Sequence, residues 1–395
     1  MRQLALALFF ATGLAVTLAL PWRPAPLRGQ AEVAAFATLL RTDLEAPAER
    51  EHALATLRAL APGALARFLE EAVAADPDGP ARTVALECLA GRATHREVAT
   101  LVRLATPGLA PAPEALRDAF RVTLVTTLAG DARAYAELVP AWRRAHSELR
   151  PELLAAVAER GDAAGLELLA WVATFEGDEH DRALADACER VAPAAPTHEQ
   201  REQLETLCAL LDSPDTVCVQ TISVALARAR VETALPAWIR LLAAESRGTR
   251  LRARQSLEEL SGIELGSDPD RWRNWYEAES IWLETRGPAV LAQLVSADVT
   301  EVLAALREVA ERRLQRDELA LWVAPLLEHE APNVRQAAIV VLEQLGSPEA
   351  LPALAAALAD EEPRVARAAW SALRTLTGKD LPPDEELWRL ELGSG

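Results

Sequence analysis

The sequence predicts an all-α chain, an α-solenoid of stacked helical hairpins, on three observations. Alanine, leucine, glutamate and arginine dominate the 395 residues, and these are strong helix formers. Glycine is sparse, at 18 residues, which argues against a many-turned β architecture. A hairpin-sized pattern also returns along the chain. Pro332-Asn-Val334-Arg335-x-x-Ala338-x-x-x-Leu342 reappears 31 residues later as Pro363-Arg-Val365-x-x-x-Ala369-x-x-x-Leu373. The i, i+4, i+8 spacing places Val334, Ala338 and Leu342 on one helical face. Between the copies, Gly346 ends one helix, and Ser347-Pro348 supplies the N-cap and first-turn proline of the next. Leu351, Leu354 and Leu358 form that helix's stripe.

A longer repeat overlies the short one. Residues 234–273 align without a gap on residues 350–389, an offset of 116, and fifteen of the forty positions are identical. Ala234-Leu-Pro-Ala237 falls on Ala350-Leu-Pro-Ala353, and Leu257, Leu260, Gly262 and Leu265 fall on Leu373, Leu376, Gly378 and Leu381. Asp268, Trp272 and Arg273 meet Asp384, Trp388 and Arg389. The module is therefore duplicated: helical hairpins closed by a glycine, a loop and a tryptophan.

These motifs carry a resemblance. The segments Pro332–Ala338 and Pro363–Ala369 resemble the short HEAT repeats of the bilin-lyase-like type, within the armadillo-type superhelices. The tail from Gly262 through Asp268 to Trp272 and Trp275 is similar to one that closes repeats in bacterial HEAT-repeat proteins. The second tail has Glu391 where the first has Trp275. Upstream, Ala81-Arg82-x-x-Ala85-x-x-x-Leu89 is a degenerate echo. The expected organisation is a signal peptide or signal anchor at 1–31, divergent helical repeats at 32–197 and a HEAT-like module at 198–279. Connecting helices at 280–315 and a second module at 316–395 follow. At this period the chain holds about ten hairpins.

No GxGxxG, Walker loop, GxSxG or HExxH is present, so no catalytic residue and no cofactor is expected. The resemblance raises one metal possibility, because HEAT-fold deoxyhypusine hydroxylases hold di-iron on repeated His-Glu pairs. His198-Glu199 and His329-Glu330 are out of register with such a cage, and no metal site is expected. Asp178-Glu-His-Asp181 reads as an acidic cap for the helix beginning near Arg182. Cys88, Cys188, Cys208 and Cys218 lie in helical patterns without CxxC spacing. Cys208 and Cys218 could face each other, but buried thiols acting as small hydrophobes are the expectation.

The net charge is -18, and every basic residue except Lys379 is arginine. So acidic a chain is a poor general partner for nucleic acid, and none is expected. Two local features are candidates for partner binding. Arg247, Arg250, Arg252 and Arg254 sit within eight residues, reading either as a solvated rim or as an anion contact. Trp272, Trp275, Tyr276 and Trp282 form the densest aromatic group, and Trp275 and Tyr276 are the candidate contacts. The expected function is a non-enzymatic scaffold that holds a partner protein or peptide on a concave face of inner helices. The alternatives are a regulatory subunit of an enzyme assembly or a cryptic HEAT-fold metalloenzyme.

The N-terminus gives an address. Arg2 precedes an uncharged run from Leu4 to Leu20, Pro21-Trp-Arg-Pro24 breaks it, and Gly29-Gln-Ala31 offers small residues for cleavage. The expectation is an exported protein, periplasmic or extracellular, or one anchored in the inner membrane by residues 4–20. N-terminal sequencing of the mature protein should begin near Glu32 if the signal is cleaved; a soluble cytosolic full-length product would refute export.

Overall fold

The computed structural model describes residues 29–40, 47–74, 80–106, 111–193 and 196–393. It divides into two compact units, residues 1–191 and 192–395. Every described element is helical. None of these helices is long and apolar enough to cross a membrane. The run from Leu4 to Leu20 lies outside the described residues, and Gly29 opens the first described helix.

The first unit holds α1 (Gly29–Leu39), α2 (Pro47–Arg58), α3 (Pro62–Val73), α4 (Ala81–Leu89) and α5 (Val98–Ala105). It continues with α6 (Glu114–Gly130), α7 (Leu138–Arg144), α8 (Arg150–Arg160), α9 (Leu166–Phe175) and α10 (Asp181–Val191). Consecutive pairs form five hairpins. The second helices α2, α4, α6, α8 and α10 lie side by side, and so do the first helices α3, α5, α7 and α9. Leu86, Leu89, Leu124, Leu153 and Cys188 are fully buried along the second row. Each such leucine contributes about 1.5–3 kcal/mol.

The second unit begins with α11 (His198–Thr206), α12 (Thr216–Arg228), α13 (Leu235–Leu241), α14 (Arg247–Ser261) and α15 (Pro269–Thr285). Then come α16 (Gly287–Leu294), α17 (Val299–Ala310), α18 (Arg316–Val323), α19 (Pro332–Leu345), α20 (Leu351–Ala356), α21 (Pro363–Thr377) and α22 (Glu385–Gly393). Here α14 packs beside α12, and α19 lies between α17 and α21. Val334, Ala338, Leu342, Val365, Ala369 and Leu373 are all fully buried, as their spacing predicts. Gly346 ends α19 with φ 68°, and Ser347 accepts the Glu349 backbone N–H to open the next turn. Residues 287–310, expected as connecting helices, form a hairpin of α16 and α17 that stacks on α19. Both units are thus α-solenoids.

All four cysteines are free thiols, so Cys208 and Cys218 are not bridged. Cys88, Cys188 and Cys218 are buried, and burial pushes the Cys88 thiol up to about 12. No three His, Cys, Asp or Glu side chains gather as metal ligands among the described residues. His329 instead accepts the Ala331 backbone N–H through Nδ1 just ahead of α19, and His180 packs edge-on against Trp142.

One arginine position ties neighbouring elements together. Arg335 Nη1 donates to the carbonyls of His329 and Glu330, while its Nε and Nη2 grip both oxygens of Asp360 at 2.7 and 2.8 Å. The two side chains are only 7% and 8% exposed. Arg82, in the degenerate echo, reaches the carbonyls of Leu104 and Thr106 at the same place in the next hairpin. The Arg335 hydrogen bonds hold the Asp360 carboxyl below its usual value. A carboxyl that titrates lower when folded stabilises the fold above about pH 4, and the contribution is lost as pH falls through its folded value. Arg335→Ala should cost about 3–5 kcal/mol at neutral pH by leaving a buried carboxylate unpaired. Urea melts at pH 7 and pH 3 should show that penalty shrinking with acid.

Candidate interaction surfaces

The tryptophan tail repeats in atomic detail at the offset of 116. Gly262 and Gly378 cap α14 and α21 in the left-handed region, at φ 73° and 68°, where a side chain is strained. Just before them, Ser261 and Thr377 donate to the carbonyls of Leu257 and Leu373. The same hydroxyl oxygens accept from the backbone N–H of Ile263 and Lys379. Asp268 and Asp384 cap α15 and α22. The indole of Trp272 donates to the Gly266 carbonyl at 2.7 Å, and that of Trp388 to the Pro382 carbonyl at 2.9 Å. Both tryptophans are fully buried. Each therefore locks its own loop while wedging the tail helix against α13 or α20.

Trp275 sits perpendicular to Trp272 with ring centres 5.6 Å apart, and it is half-buried, as is Tyr276. Its counterpart Glu391 pairs with Lys379, so the second copy fills that place with an ion pair. Trp282 is committed elsewhere: its indole donates to Glu308, and Arg312 lies over its ring.

The arginines of α14 do not form one basic face. At 100° per residue, Arg252 lies about 160° around the axis from Arg254. Arg250 serves the fold, since its Nη1 donates to the carbonyls of Ala244 and Glu245, the counterparts of the two carbonyls held by Arg335. Arg254 pairs with Glu258 one turn on. Arg247 is exposed and Arg252 half-exposed, and neither has a polar partner among the described residues.

A different surface is more continuous. The side of α17, α19 and α21 opposite their buried stripes exposes Thr300, Ala304 and Arg307 on the first helix and Asn333, Gln336, Val340 and Gln344 on the second. On α21 it exposes Arg364, Arg367, Ser371 and Arg374. Arg374 pairs with Asp380 and lies over the Trp370 ring at 4.9 Å. Arg307, Arg364 and Arg367 have no polar partner among the described residues. Sequence reasoning passed over this row, although the spacing of Arg364, Arg367, Ser371 and Arg374 opposite Val365 and Ala369 carries the signal.

Residues 287–374, which span the row almost to its end, match the family model of HEAT repeats. Over those residues the chain is similar to HEAT repeats. An engineered protein of known crystal structure is similar to it at 18% identity over 88% of this chain and 98% of its own, with a TM-score of 0.35. A designed armadillo repeat protein in complex with the peptide (KR)4 is similar at 17% identity over 71% and 100%, with a TM-score of 0.26. No curated protein matches the chain.

The copied tryptophans differ from the uncopied one in what removal would break. Trp272→Ala and Trp388→Ala should each cost about 3–5 kcal/mol, as other large-to-small core changes do. Trp275→Ala should be milder, because the second module folds without an aromatic there. Thermal melts of the three variants measure the difference; equal destabilisation by all three would make the whole aromatic group core.

Proposed function

We propose that this chain is a non-enzymatic interaction scaffold of the cell envelope, delivered by residues 1–31. It holds a partner protein or peptide along the outward row of α17, α19 and α21. The observation that carries this reading is the pair Arg364 and Arg367. Both are exposed on one stripe without an intramolecular partner, in a chain whose arginines are widely used in ion pairs, as at Arg121, Arg150, Arg286 and Arg335. The central helix of the row, α19, presents amides and a valine instead of charge. A peptide laid across it would meet uncharged hydrogen-bonding groups in the middle and guanidiniums at the edge. Arginine forks match carboxylates, so the part of the partner over α21 is acidic.

Fluorescence anisotropy with a glutamate-rich and a lysine-rich peptide tests this. The acidic peptide should bind, with affinity falling as salt rises. Replacing Arg364 and Arg367 together by Gln should weaken it by about 1–3 kcal/mol, while leaving the melting temperature unchanged. Equal binding of both peptides, or no effect of the double substitution, would refute the reading.

A further inference from the structure

The outward stripe of α21 ends in a shallow hollow. Where the helix stops at the left-handed Gly378, a space of about 290 Å³ opens, lined by Ser371, Arg374, Thr375, Gly378, Lys379 and Asp380. A Cβ on Gly378 would find no atom within 4 Å, so the chain leaves this space clear. Lys379 is the one lysine among the 41 basic residues of the sequence.

The first module, 116 residues earlier, folds the same turn with a different lining. It has the left-handed Gly262, but Gln255, Glu258, Glu259, Ile263 and Glu264 stand where the second copy has Ser371, Arg374, Thr375, Lys379 and Asp380. Three acids and no cation in one copy correspond to two cations, two hydroxyls and one acid in the other. The glycine turn therefore does not require the second set. Packing positions such as Trp272 and Trp388 are copied, whereas the lining of the hollow is not.

The cations are held beside the space by their neighbours. Arg374 lies over the Trp370 ring at 4.9 Å and pairs through Nε with Asp380 Oδ1 at 2.8 Å. The Trp370 indole is itself pinned to the Leu381 carbonyl at 2.7 Å. Lys379 pairs with Glu391, so each acid here faces one cation. What remains is hydrogen-bond donors rather than net charge. A guanidinium carries five N–H donors and an ammonium three, and a single ion pair leaves several of them open to a further acceptor. The Ser371 hydroxyl has no polar partner among the described residues, while Thr375 donates its own proton to the Ser371 carbonyl. Arg367, one turn before Ser371, adds a positive charge with no acid of its own.

We infer that the hollow receives one carboxylate of the acidic partner, bound by Ser371, Arg374 and Lys379, an inference that rests on the peptide-holding reading of the same stripe. A carboxylate only accepts hydrogen bonds, which suits a lining with open donors. Its single charge suits a lining that already contains Asp380. Arg364 and Arg367 then attract acidity along the helix, and the hollow sets the register by seating one residue at the end.

Fluorescence anisotropy of the full chain with the glutamate-rich peptide, free or amidated at its C-terminus, tests the site. Ser371→Ala/Lys379→Ile, which gives position 379 the residue type of the first module, should weaken binding about tenfold. Its melting temperature should match the parent's, because the first module makes this turn with Gly262 and Ile263. Lys379→Arg keeps a charged donor and should bind as the parent does. If amidation abolishes the difference between parent and double variant, the seated carboxylate is the peptide's terminus; if the difference persists, it is a side chain's. Parent-like affinity of the Ser371/Lys379 variant, with Arg364→Gln/Arg367→Gln still weakened, would overturn the hollow and leave the scaffold reading standing. A loss in Lys379→Arg equal to that of the double variant would also overturn it. No binding of the glutamate-rich peptide to the parent would overturn both.

Discussion

A helical hairpin in this chain covers only part of its apolar stripe with its own partner helix, and the remainder is covered by the hairpin stacked beside it. Val334, Ala338 and Leu342 are fully buried because α17 and α21 flank α19. The stack decides everything else. It fixes which side of each second helix is spent on packing and which is left for solvent. It also makes stability a sum of neighbour contacts. The arginine after the first buried residue of such a helix adds direction to an otherwise sliding apolar contact, as Arg335 does by holding carbonyls behind it and Asp360 ahead.

A neighbour-dependent stack has ends that must be closed, and the tryptophan tails serve that need. After α14 and α21 the chain turns on a left-handed glycine, caps a new helix with aspartate, and pins the loop between them with an indole hydrogen bond. The tail helix then lies against the first helix of its own module, where another hairpin would otherwise pack. The first tail, however, does not terminate the array. The chain continues through α16 and α17, and the two modules meet at the ion pair of Arg201 and Asp317.

Much of this was legible in the sequence because repetition makes spacing meaningful. The proline at the start of α19 and α21, the buried positions that follow, and the offset of 116 locate helices, glycine stops and both tryptophans. The hairpin of α16 and α17 escaped because Asp298-Val299-Thr300 lacks both the starting proline and the arginine of the motif. Arg250 is engaged within the fold, and aligning Thr249-Arg250 on Val334-Arg335 identifies it as the carbonyl-holding position. The contact between Glu232 and Gln315 was invisible for a different reason. It joins residues 83 apart, and no local pattern foretells that Gln315 adopts a left-handed backbone to reach Glu232. Long-range polar contacts between modules belong to geometry that periodicity does not encode.

The identity of the two tails bears on how such a chain changes length. Gly266 and Pro382 accept the same indole bond, and helices begin and end at matching places on either side. A cut at one of these loops therefore has an equivalent cut 116 residues away, with the same glycine stop before it and the same aspartate cap after it. Recombination between the two sites would remove or add 116 residues, a module together with the connecting hairpin of α16 and α17, while leaving every join in a conformation the chain already uses. The tail thus acts as a standard splice point, and reach along the array is a quantity that evolution can adjust in steps of a module.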